Sequence, residues 1–86
     1  MAALLSLAFH DPDWRWAQDQ CLHYAKHRNS AIRGQAALCF GHLARIHRTL
    51  DLDVVLPVLR ALANDPETRG RAEDALSDIG IFITKS

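Results

Sequence analysis

Ile32-Arg33-Gly34-Gln35-Ala36-Ala37-Leu38-Cys39-Phe40-Gly41-His42-Leu43 returns, in altered letters, as Thr68-Arg69-Gly70-Arg71-Ala72-Glu73-Asp74-Ala75-Leu76-Ser77-Asp78-Ile79. Arg-Gly is repeated, Ala36 matches Ala72, small Cys39 matches Ala75, Phe40 matches Leu76 and Leu43 matches Ile79. The offset from position 32 to position 68 is 36 residues. A period of that length marks stacked supersecondary units rather than one irregular core. Such stacks are mostly surfaces for holding another molecule, so the sequence points to binding without naming what is bound.

Outward from this pair, apolar residues recur at helical spacing and no segment alternates with period two. The chain is therefore read as all-α. An apolar fragment spans about residues 2–9, ended by His10-Asp11-Pro12, with Asp11 as the next cap and Pro12 at the first helical position. The first full helix runs to about His27 on a stripe of Trp14, Ala17, Cys21, Leu22, Tyr24 and Ala25. Asn29 or Ser30 caps a second helix over 31–48, whose inward face is Ile32, Ala36, Cys39, Phe40, Leu43 and His47. Asp51 or Asp53 caps a third that reaches Ala63, with Pro57 in or just past its first turn. Asn64-Asp65-Pro66 turns the chain into a fourth helix ending near Phe82, with Ala72, Ala75, Leu76, Ile79 and Phe82 inward. Short loops between successive helices predict antiparallel neighbours.

Eighty-six residues make one small domain, and 49% of them are apolar, which excludes a disordered chain. A domain this short buries only about 60% of its unfolded surface, so modest stability is expected. No run approaches the roughly 20 apolar residues of a membrane span, and Met1–Phe9 lacks the basic start of a signal peptide. Cys21 and Cys39 both fall in apolar stripes and are too few for a disulfide framework. They read as buried thiols in a reducing compartment, which makes the cytoplasm the expected location. Formal net charge is zero, which argues against nucleic acid as the main partner. The charge is divided, however. Residues 1–50 carry six Lys/Arg and three acids, whereas residues 51–86 carry four Lys/Arg and seven acids. The molecule is expected to have a basic and an acidic end, either as solvated faces or as a device for steering a charged partner.

Leu56-Pro57-Val58-Leu59, Leu62, Asp65-Pro66, Arg69, Ala72, Ala75-Leu76 and Ile79-Gly80 resemble a HEAT repeat. Ile32-Arg33, Ala36, Gly41 and Leu43 resemble the second helix of another copy. The resemblance spans about residues 12–82 and implies two stacked HEAT-like hairpins, a short α-solenoid, with repeats at about 12–48 and 51–82. Residues 1–9 then align with the tail of an earlier second helix, and Leu4, Leu5, Leu7 and Phe9 would cap the first helix. The departures are Asn29 in place of the turn Asp, Cys21 in place of the helix proline, and Thr68 in place of an aliphatic residue. Two repeats and a remnant fall short of the three or so normally needed for independent stability. A homodimer or a bound partner would supply the rest.

Chemistry-bearing constellations are sparse. His23 and His27 stand four residues apart, and Cys39 and His42 three apart, but no carboxylate completes a metal site. His47 reads as a hydrogen-bonded residue at the core edge. No Gly-rich phosphate loop is present, and no cofactor, metal or catalytic residue is implied. The positions opposite the core are Gly34, Leu38, Gly41, His42 and Arg45 in the second helix, and Gly70, Asp74, Ser77, Asp78 and Ile81 in the fourth. Helical glycine costs roughly 0.5–1 kcal/mol against Ala. Its recurrence fits close approach of another backbone, from a partner or from the protein's own helices. By the resemblance, second helices line the concave binding side. Arg33 and Arg69 read as turn-holding residues, Arg69 through Asp65. Trp14 and Trp16 cannot both face inward; Trp14 fits the stripe, leaving Trp16 as an interface anchor or as packing for the N-terminal fragment.

The expected function is thus a non-enzymatic protein-binding module. Its candidate surface comprises Trp16, Gly34, Leu38, His42, Arg45, Gly70, Asp74 and Asp78, and its class includes immunity-type inhibitors of bacterial toxins. A small enzyme or subunit resembling bilin lyases is the alternative, and weak nucleic-acid binding through Arg45, Arg48 and His42 is another, opposed by Asp74 and Asp78.

Overall fold

The computed structural model describes residues 13–83, and all regular structure among them is helical. Four helices follow one another: α1 (Trp14–Tyr24), α2 (Ser30–His47), α3 (Leu52–Ala63) and α4 (Arg69–Phe82). The expected capping fragment at 2–9, with Leu4, Leu5, Leu7 and Phe9, lies outside the described residues. So does the expected cap Asp11. The cap that closes α1 is Asp13, whose carboxylate accepts the Trp16 N–H at 3.1 Å. Trp14, expected in the core, is only half-buried, with the Arg15 guanidinium 4.9 Å from its ring centroid.

α2 is the centre of the molecule. It lies against α1 and α3 and, most extensively, against α4. Buried residues cover one broad side of it: Ala36, Ala37, Cys39, Phe40, Leu43 and Ala44, together with Gly34 and Gly41. Ala17 and Cys21 of α1, Val55 and Leu59 of α3, and Ala72, Ala75 and Ile79 of α4 complete one continuous core. Ala36 and Ala72 are both fully buried, as are Cys39 and Leu43 with their counterparts Ala75 and Ile79. Leu76, the counterpart of Phe40, is partly buried at the core margin.

The two turns use the same hydrogen bonds. Asn29 Oδ1 accepts the Ala31 N–H at 2.8 Å, and Asp65 Oδ1 accepts the Glu67 N–H at 3.0 Å, each two residues on. Arg33 donates to the His27 carbonyl at 2.9 Å, and Arg69 to the Ala63 carbonyl at 3.1 Å, each six residues back. The 36-residue offset of the sequence therefore survives in the turn chemistry.

The expected Arg69–Asp65 pair does not form. Asp65 Oδ2 instead accepts from Arg33 at 2.9 Å, while the same guanidinium holds the His27 and Arg28 carbonyls. One planar fork with several donors thus ties the first turn to the second. The amide of Glu67 and then the Arg33 guanidinium hold the Asp65 carboxyl below its ordinary value. Gln18 is a second tie. It sits buried among apolar neighbours on α1, and its Oε1 accepts the Asp51 N–H at 2.7 Å, fixing the entry to α3. Thr68, where an aliphatic residue was expected, is buried. Its hydroxyl donates to the Leu62 carbonyl at 2.7 Å, so the polar atom is satisfied without capping α4.

Phe40 is the largest fully buried side chain. Phe40→Ala should cost about 3–5 kcal/mol, read as the shift in urea unfolding midpoint. In a domain this small that loss is enough to leave much of the population unfolded at room temperature.

Candidate protein-binding surface

The contacts between α2 and α4 run in the same order along both helices. A β-carbon on Gly34 would meet Arg71, and one on Gly41 would meet Ala75 and Asp78. Arg45 pairs with Asp78, and the Arg48 guanidinium stands 5.9 Å from the Phe82 ring centroid. The two second helices are therefore side by side and parallel, and their outward surfaces are neighbours.

The eight candidate residues divide on this geometry. Trp16 (44% exposed), Arg45, Gly70 and Asp74 lie on the surface. Leu38, His42 and Asp78 are half-buried at its edge. Gly34 is buried, which corrects its assignment to the outer face, and Gly41 is buried beside it. Both belong to the seam. A β-carbon on Gly41 would stand 2.9 Å from Asp78 Oδ2, and one on Gly34 would stand 3.1 Å from Arg71 Cδ. At 100° per residue, the exposed face of α2 is rotated by roughly 60° from the predicted one. It is centred between His42 and Gln35 rather than on the glycines. Gly70, the counterpart of Gly34, has no atom within 4 Å of an added β-carbon. Asp78 turns from the outer face of α4 toward α2.

Electrostatically the seam alternates in sign. Arg45 Nε lies 3.6 Å from Asp78 Oδ2, and its Nη2 lies 3.3 Å from His42 Nδ1. Burial and then the Arg45 charge hold the His42 pKa below its ordinary value of 6.5, against an upward pull from Asp78. His42 therefore favours the neutral form near pH 7.

The expected ligand-like pairs are otherwise engaged. His27 Nδ1 accepts the Asn29 N–H at 3.0 Å, and His23 packs edge-on against Tyr24. Cys21 and Cys39 meet in the core with both thiols fully buried; the mutual contact and then burial push the Cys21 thiol pKa far up, so it is inert as a nucleophile. His47, expected to be hydrogen-bonded, leaves Nε2 without a partner. Among the described residues no three His, Cys, Asp or Glu side chains converge as a metal site. No described helix is long and apolar enough to cross a membrane. The first turns of α2 and α4 flank an open depression of about 240 Å³ lined by Ser30, Ala31, Gly34, Gln35, Glu67 and Arg71.

Sequence reasoning missed the ties made by Gln18 and Arg33. For Gln18 a signal existed, an amide next to Ala17 and three residues before Cys21, beside the apolar stripe. For the Arg33–Asp65 pair none did, because the partner is set by how one hairpin lies on the other. No family model matches the chain, and neither a curated protein nor a solved structure matches it.

Two measurements check this geometry. Gly70→Ala should raise stability by about 0.5–1 kcal/mol, the ordinary helical gain. Gly41→Ala should gain less than Gly70→Ala, because the added β-carbon displaces the Asp78 carboxylate beside Arg45. In an NMR titration His42 should have a midpoint below 6.5. Arg45→Gln should move it up and Asp78→Asn should move it down.

Proposed function

We propose that this chain is a non-enzymatic protein-binding module built as two stacked HEAT-like hairpins. On this reading α1–α2 and α3–α4 are the hairpins, and the outward surfaces of α2 and α4 form the binding face. The observation that carries the reading is the parallel, side-by-side pairing of the two second helices. That pairing sets Leu38, His42 and Arg45 beside Asp74 and Asp78 on a surface supported by a continuous core. Matched turn hydrogen bonds at a 36-residue offset support the duplicated architecture. A surface of mixed sign with half-exposed apolar residues suits a protein with complementary charge, because charge sets register and encounter rate while apolar contact supplies affinity. Trp16, exposed on the first turn of α1, adds an aromatic anchor of the kind that dominates interface energetics. An immunity-type inhibitor, which blocks a toxin by covering its active site, is one role that such a surface would serve.

The test is capture from native-host extract on immobilised protein, followed by affinity measurement with the purified partner. The double variant Arg45→Gln with Asp74→Lys should keep its helical circular dichroism and bind at least about tenfold more weakly, about 1.4 kcal/mol. Glutamine is preferred to glutamate at position 45 because a carboxylate there would face Asp78. Undiminished affinity in the double variant would remove the second-helix surface from the proposal.

A further inference from the structure

The α2–α4 contact describes, within one chain, what the bare side of α4 is shaped to receive. α2 presents Gly34, Gly41 and Arg45 to α4, which answers with Arg71, Ala75, Asp78 and, beside Arg48, Phe82. Moved forward by the 36-residue offset, the first set becomes Gly70, Ser77 and Ile81, and helical spacing puts Asp74 on the same side of α4. All four are exposed on one side of α4, with Ile81 54% exposed. Moved back, the second set becomes Gln35, Cys39, His42 and Ile46 on α2. Cys39 is buried in the core, whereas Gln35 and His42 are half-buried and Ile46 is 40% exposed on the outer side of α2. The chain thus carries both halves of a contact that it makes only once internally.

We propose that the outer face of α4 in one copy docks on the outer face of α2 in a second copy, so that the protein associates head to tail. Charge selects this pairing over a symmetric one. The α4 face carries Asp74 with Glu73 beside it, and two such faces brought together would oppose carboxylates. α2 carries no carboxylate between Ser30 and His47, so Asp74 meets no like charge there. Residues 51–86 are acidic on balance and residues 1–50 basic, so the longer-range field has the same sense. The register follows from the internal template. Ile81 and Ser77 meet His42 where Arg45 and Gly41 meet Asp78, and Gly70 meets Gln35 where Gly34 meets Arg71. Such a contact is heterologous. Each copy keeps one face of each kind, and association continues beyond the dimer unless the ring closes. This inference rests on the equivalence of α2 and α4 and not on any foreign partner.

The test uses purified full-length protein, in sedimentation velocity and light scattering from micromolar to millimolar concentration at low and high salt. The average mass should rise past that of a dimer with concentration and fall back as salt is added. Ile81→Lys removes the α4 face and Ile46→Lys the α2 face; both positions are solvent-exposed, so both variants should keep parental helicity. Each variant alone should remain a monomer. An equal mixture should form a dimer and nothing larger, because one intact face of each kind remains. A parent that stays monomeric throughout overturns the proposal, as does a variant mixture that stays monomeric while the parent associates. A parent that stops at a dimer insensitive to Ile81→Lys overturns it too. Loss of a foreign partner on Ile81→Lys, with the pure parent monomeric, assigns the face to that partner and overturns self-association while leaving the binding module intact.

Discussion

The packing of α4 along α2 is the constraint that governs the fold, and Gly41 lies buried in that seam beside Ala75 and Asp78. A β-carbon there would come within 2.9 Å of Asp78 Oδ2 and 3.6 Å of the Ala75 backbone. The rest of the architecture follows from this approach. With α4 drawn onto α2, Ala72, Ala75 and Ile79 reach the same core as Ala36, Phe40 and Leu43, and α3 is left to cover the open side with Val55 and Leu59. A domain of this size has little apolar area to spare, so its second helices use small residues to bring more of the chain within contact range.

Polar ties hold what the core alone would leave loose. The Arg33 guanidinium gathers two carbonyls of its own turn and the Asp65 carboxylate of the next, and Gln18 accepts the first amide of the α3 entry. Each joins segments that apolar contact does not order, at points where unpaired backbone groups would otherwise be costly. The Arg33–Asp65 pair is partly exposed, so its value lies in geometry more than in energy. It ties the turn between α1 and α2 to the turn between α3 and α4.

His42, Arg45 and Asp78 meet at the α2–α4 seam and edge the proposed binding surface, so variants at these three positions need a folding control. Asp74, Gly70 and Ile81 lie exposed, away from that seam.

The sequence by itself determined the all-helical class, where α2, α3 and α4 stop, and most of the inward stripe, since these follow from local spacing and cap chemistry; α1, expected to reach about His27, stops at Tyr24. Asn29, Pro57 and the Ala36–Phe40–Leu43 register were legible for that reason. The cap of α1 was misplaced by two residues because Asp11 and Asp13 are equally good acceptors on paper. What only the tertiary structure decided was which side of each second helix is covered. Gly34 and Gly70 are the same letter at the same repeat position, yet one is buried beneath Arg71 and the other faces open space. Helical periodicity fixes angles around one axis but not where a second axis lies. Only the packing of α4 on α2 covers the one glycine and leaves the other open.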